Sequence, residues 1–111
     1  TEEEVLVLAL ALNIYGSSGD DLLSGTSGND IIHGGLGNDT YEFNAGDGRD
    51  IIIDTDGDNI LNVNNVQLDS LWFSQNNDDL QINIIDSADK ITINDWYIND
   101  KNITCYCYGR L

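Results

Sequence analysis

The stretch 34-GGLGNDTYE-42 packs three glycines and one aspartate into nine residues, and two stretches ahead of it share its plan, 16-GSSGDDLLS-24 and 25-GTSGNDIIH-33. Glycine and aspartate are among the poorest formers of helix and strand. Their return at a fixed spacing of nine therefore has to be read before any local propensity. A fourth unit, 45-AGDGRDIII-53, follows a two-residue insertion, Phe43 and Asn44. A fifth, 54-DTDGDNILN-62, keeps Gly57 and carries Asn59 where the others carry aspartate. In this register the fourth position reads Gly19, Gly28, Gly37, Gly48 and Gly57, and the sixth reads Asp21, Asp30, Asp39, Asp50 and Asn59. The eighth is always apolar: Leu23, Ile32, Tyr41, Ile52 and Leu61.

Each unit divides into a six-residue turn and a three-residue strand whose central side chain points inward. Glycine opens backbone regions closed to residues with a Cβ, so the turn can be tight and its carbonyls can converge. One unit is half a coil. Alternate turns then stack on the same side, and the inward residues form a thin apolar core between two parallel sheets. An aspartate at each turn, with convergent carbonyls and no nitrogen or sulfur donor, is an oxygen-only ligand set, which suits calcium better than magnesium. Aspartates that merely form turns are the competing reading, but stacking would bring such carboxylates together without a counter-charge.

This spacing resembles G-G-x-G-x-D-x-U-x, the nonapeptide of the RTX calcium-binding proteins. The stretches TYEFNAGDGRDIIID and ITINDWY are also similar to the C-terminal part of haemolysin-type RTX modules, and the resemblance spans roughly residues 14 to 97. It implies an all-β fold: a parallel β-roll over 14–62, capped by antiparallel strands over 63–111 and preceded by a short helix or linker over 1–13. It also implies a ligand scheme of two to three calcium ions. In a first site Ser17, Gly19 and Asp21 would face Gly34, Leu36 and Asp39. In a second, on the opposite edge, Thr26, Gly28 and Asp30 would face Ala45, Asp47 and Asp50. In a third, Gly35, Gly37 and Asp39 would face Asp54, Asp56 and Asn59, and this site is expected to be the weakest because Asn59 lacks the charge.

Composition narrows the partners. The chain has 111 residues with 20 acidic and 4 basic side chains, a formal charge of −16. Such a surface is repelled by nucleic acid and anionic membranes, and it opposes compaction unless cations neutralise part of it. Apolar residues still make up 41%, so the chain lacks the low hydrophobicity of permanent disorder. The longest apolar run, VLVLALAL at 5–12, is far too short to span a bilayer and is preceded by acidic residues, unlike a signal peptide.

Other motifs add little. The flank TEEEVLVLALAL has a capping-box spacing between Thr1 and Glu4, which favours a short helix, although alternating Val and Leu also suit a buried strand. LWFSQ (71–75), LQINII (80–85) and KITIND (90–95) alternate as strands separated by turn-rich segments. They are expected to cover the open end of the roll, with Trp72, Phe73, Trp96 and Tyr97 supplying bulk to the cap core. Cys105 and Cys107 do not make a disulfide scaffold. DTDGDN at 54–59 lacks the glycine an EF-hand loop needs at its sixth place, and Asn65 stands where its glutamate should be.

There is one histidine, His33, at a ninth position expected to face solvent, and no nucleophile motif, phosphate loop or His-rich cluster is present. The expected function is a non-catalytic calcium-binding module that folds on extracellular calcium. The resemblance implies that it supports type I secretion, folding and stability of a larger secreted bacterial toxin or exoprotein, with neighbouring domains and the secretion apparatus as partners. Two other readings are a calcium-rigidified adhesion or carbohydrate-binding module and the non-catalytic C-terminal part of an RTX lipase or protease.

Overall fold

Ten strands and one 3-10 turn make up the fold in a computed structural model that describes residues 12–85, 87–98 and 103–108. The proposed N-terminal helix lies outside the described residues. The repeat strands are β1 (Asn13–Tyr15), β2 (Leu22–Ser24), β3 (Ile31–His33), β4 (Thr40–Asn44), β5 (Arg49–Ile53) and β6 (Asn59–Asn64). After a 3-10 turn at Leu68–Ser70 come β7 (Leu71–Asn76), β8 (Asp79–Ile84), β9 (Lys90–Ile93) and β10 (Ile103–Tyr108). Two sheets result, one ordered β1-β3-β5-β9-β8-β7 and the other β10-β6-β4-β2. Odd and even repeat strands therefore separate into opposite sheets, as half-coil units require.

Registers expose the period directly. Ile14 pairs with Ile32, and Leu23 with Tyr41, each two units on. Across the insertion Ile32 pairs with Ile52, and Tyr41 with Leu61, so the coil lengthens by two residues without slipping. A two-residue insertion keeps the pleat, because side chains alternate with a period of two. It lengthens β4 and adds a second inward residue, Phe43, paired with Val63. Ile32, Tyr41, Phe43, Ile52, Leu61 and Val63 are all buried. Ile14 and Leu23, at the N-terminal end of the stack, are only partly buried against them.

The C-terminal strands cap and also continue the roll. β7 pairs antiparallel with β8 and β8 with β9, as the alternation predicts. However, β9 pairs in parallel with β5, and β10 in parallel with β6, so both sheets of the roll extend into the cap. Leu80, Ile82, Ile84, Ile91, Ile93 and Ile103 bury their side chains there. Each large aliphatic side chain withdrawn from water contributes roughly 1.5–3 kcal/mol, and the cap residues join those of the roll in one core.

Two aromatic expectations need correction. Trp72 is 63% exposed and Phe73 49% exposed, so neither fills the cap core. Trp72 lies opposite Asn83 on the outer face, whereas Phe73 is on β7, the last strand of the six-stranded sheet, and four described strands make up the opposing sheet. Phe73 lies opposite the buried Ile82 on the inner face, but no strand of the second sheet reaches over it. Trp96 and Tyr97 do pack against the core, edge to face with ring centroids 5.0 Å apart.

Candidate metal centre

The turns build the site through one repeated device. Each sixth-position carboxylate bonds back to the start of its own turn where that residue carries a hydroxyl: Asp21 accepts from the Ser17 N–H (2.7 Å) and Oγ, and Asp30 from the Thr26 N–H (2.6 Å) and Oγ1. The same hydroxyls accept from the Gly19 and Gly28 N–H groups. These are local side-chain bonds of the kind that let Ser, Thr and Asp hold turns in place of regular structure.

A second device runs along the stack. The Asp21 N–H donates to Asp39 Oδ1 (2.9 Å), and the Asp39 N–H to Asn59 Oδ1 (2.7 Å). On the other edge the Leu12 N–H donates to Asp30 Oδ1 and the Asp30 N–H to Asp50 Oδ1. Each carboxylate thus reaches back one coil. The fifth positions form a parallel outer ladder, Asn38 N–H to Asp20, Asp58 N–H to Asn38 and Arg49 N–H to Asn29. Sequence reasoning missed this ladder, although Asp20, Asn29, Asn38 and Asp58 carried its signal.

The predicted ligands come together to different degrees. At the first site turn 34–39 lies on turn 16–21: Gly35 and Gly37 have positive φ, and a Cβ at either would stand 2.6 Å from the carbonyl oxygens of Ser17 and Gly19 respectively. Only glycine serves there. Leu36, the remaining ligand of that turn, has an exposed side chain. At the second site a Cβ on Gly48 would stand 2.9 Å from the Gly28 carbonyl oxygen, and one on Gly25 within 2.8 and 3.0 Å of Asp30 Oδ2 and Asp50 Oδ2. Ala45 is exposed, Gly46 beside it faces open space, and Asp47 caps its own turn by accepting from the Asn44 N–H. Asp47 still lies close enough to Asp30 to feel its charge.

At the third site Gly57 stacks on Gly37, so the turns again superpose. Two of the predicted ligands are bonded to each other: Asn59 donates its side-chain amide to the Asp56 carbonyl (2.9 Å). Asp54 is buried and accepts from the Tyr41 hydroxyl.

Burial sets the electrostatics. Asp30, Asp39, Asp50 and Asp54 are all buried. Among the described residues, the buried side-chain atoms with no hydrogen-bond partner are Asp39 Oδ2 and Asp50 Oδ2. Burial raises the Asp39 carboxyl above the ordinary range against the opposing bond from the Asp21 N–H, and the Asp54 and Asp21 charges raise it further. Burial pushes Asp50 up to about 7 despite the Asp30 N–H, with Asp30, Asp47 and Asp89 adding repulsion. Asp47 is also raised, first by burial. An orphaned buried carboxylate oxygen is costly and calls for a counter-ion. The donors around these oxygens are carboxylates and backbone carbonyls, which fits a hard cation such as calcium. No three His, Cys, Asp or Glu side chains cluster as a ligand group among the described residues. That agrees with turns that contribute carboxylates in pairs and draw their other oxygens from the backbone.

Asp89 behaves in the opposite way. It lies in the turn ahead of β9 and accepts from the Gly46 N–H (2.9 Å), the Gly48 N–H (3.0 Å) and Ser87 Oγ (2.7 Å). Burial would raise its pKa, but these three bonds together hold it below the ordinary range. The S-x-D spacing of Ser87 and Asp89 was its signal in the sequence.

Stacked Gly-Asp turns joining two parallel sheets, with partnerless carboxylate oxygens inside, define a metal-binding β-roll. Residues 13–41 match the family model of the RTX calcium-binding nonapeptide repeat (4 copies). The match stops just ahead of the Phe43-Asn44 insertion, where the coil lengthens from 18 to 20 residues.

Proposed function

We propose that this chain is a non-catalytic module that folds when it meets extracellular calcium, and that it supports type I secretion, folding and stability of a larger secreted bacterial protein. The observation that carries the reading is the pair of buried, partnerless oxygens, Asp39 Oδ2 and Asp50 Oδ2, one on each edge of the roll. In the cytosol, where calcium is scarce, such carboxylates oppose closure of the stack, so the chain stays unfolded and threadable. Outside, ions bridging Asp21 to Asp39 and Asp30 to Asp50, with carbonyls of Ser17, Gly19, Gly34, Leu36, Thr26 and Gly28, offset the repulsion. Ala45 and Asp47 complete the second site, with one Asp47 oxygen already accepting from the Asn44 N–H. A site tenfold above its dissociation constant adds about 1.4 kcal/mol, so several coupled sites make folding cooperative in calcium.

Circular dichroism of the intact chain with millimolar calcium and with chelator tests this. The strand signal is expected only with calcium; an unchanged signal in chelator contradicts the reading. A surface-contact role is favoured by one observation, the exposure of Trp72 on the edge strand. It predicts calcium-dependent glycan or cell binding by the chain that is lost in Trp72→Ala.

A further inference from the structure

We propose that the third site is a cation site of a different construction, in which the side chain of Asp54 supplies the carboxylate that Asn59 lacks and the Tyr41 hydroxyl positions it. This rests on the calcium reading of the roll and changes what its third site is made of.

The first position of the other units is Gly16, Gly25, Gly34 or Ala45; only the fifth unit places a long polar side chain there. The eighth position is aliphatic in every unit but the third, where it is Tyr41. The two exceptions meet. Tyr41 rises through the core, fully buried, and donates its hydroxyl to Asp54 Oδ2. Asp54 Oδ1 accepts from the Asp56 N–H at 3.1 Å, which anchors the carboxylate at its own turn.

Both groups converge on a cradle under Gly34. A Cβ there would collide with the Tyr41 hydroxyl and Asp54 Oδ2 and would stand 2.8 Å from Asp39 Oδ2. Asp39 is 1% exposed, and this Oδ2 is one of the two buried oxygens without a partner. Two carboxylate oxygens therefore face one small space walled by a hydroxyl, where their like charges repel. Meanwhile Asn59 is engaged elsewhere, its Oδ1 accepting from the Asp39 N–H and its amide donating to the Asp56 carbonyl, so it brings neither a charge nor a second oxygen to an ion. Two carboxylates are thus present at this level of the stack, as at the sites that pair Asp21 with Asp39 and Asp30 with Asp50. Calcium affinity is tuned by ligand charge count, so the site is not the weak one that Asn59 alone implies.

Calcium titration calorimetry on the full chain separates the alternatives, because the usual residue at this position is glycine. Asp54→Gly brings the fifth unit closer to the repeat pattern, yet it is expected to remove one ion per chain or weaken one site by about tenfold, roughly 1.4 kcal/mol. Asn59→Asp in the Asp54→Gly background is expected to restore that ion, which a purely structural role for Asp54 would not allow. Tyr41→Phe is expected to shift the same site in the same direction by less. Should Asp54→Gly fail to fold in calcium, Asp54→Asn keeps the shape and is expected to lose the same ion. Equal stoichiometry and affinity in wild type and the folded Asp54 variant would overturn the inference while leaving the calcium reading intact. Absence of calcium binding by the wild-type chain would overturn both.

Discussion

Asp50 and Asp89 are neighbours on one edge of the roll, both buried, and they show two ways of keeping a carboxylate away from water. Asp89 is supplied by the protein: two glycine N–H groups and a serine hydroxyl hold its charge. Asp50 receives one N–H, from Asp30, and its other oxygen has no partner. The difference separates the two halves of the molecule. The repeats over 12–64 bury carboxylates and depend on something added from outside. The described strands over 65–108 bury isoleucine and leucine, and the buried carboxylate described there, Asp89, has its charge held by hydrogen bonds. Asp89 therefore closes the stack of turns on its edge with a bond set that needs no ion.

The sharpest way to break this contrast is through the apolar half. Ile82→Ala removes a fully buried side chain from β8 and is expected to cost about 2–5 kcal/mol. Urea denaturation in saturating calcium measures it, and the loss should not be recovered by more calcium. Next come the two carboxylates themselves. Asp89→Asn leaves glycine N–H donors poorly matched and is expected to cost about 1–3 kcal/mol, whether or not calcium is present. Asp50→Asn is expected to reverse sign: it weakens calcium binding but stabilises the calcium-free chain by removing a buried charge. If both variants behave alike in chelator and in calcium, the distinction between them is wrong.

A further effect is in pH. The Asp50 pKa is raised to about 7, so its contribution is fully present below the unfolded value of 3.8 and is lost as pH rises through about 7. The Asp89 pKa is lowered, so its contribution is present above the ordinary carboxylate value and is lost as pH falls through the lowered one. In chelator with a stabilising osmolyte added to populate the fold, then, strand signal should be greater at mildly acid pH than in alkali, and should decline again in strong acid. A signal that only rises with pH would contradict the assignment of Asp50.

Much of this was legible beforehand because the repeat makes it so. A fixed register announces which side chain points inward and which turns stack, and Ile32, Tyr41, Ile52 and Leu61 are buried as the eighth position predicts. Elements outside the period were harder. The pairing of β10 with β6 joins segments far apart in sequence with no shared spacing, and alternation in ITCYCY announces a strand but not its neighbour. Trp72 and Phe73 look like core residues by type; pairing with Asn83 puts Trp72 on the outer face, and the edge position of β7 leaves Phe73 uncovered. The Tyr41 and Asp54 contact joins two departures from the pattern, 13 residues apart, that meet only once the chain is coiled.

Amide hydrogen exchange on the intact chain tests the central claim most directly. The N–H groups of Asp21 and Asp30 donate to carboxylates one coil further on, and that of Asp39 to the side-chain oxygen of Asn59. With millimolar calcium they should be strongly protected, and with chelator they should exchange freely. Equal protection of these three amides in both conditions would mean that the stacked carboxylates hold together without an ion, and would contradict the account.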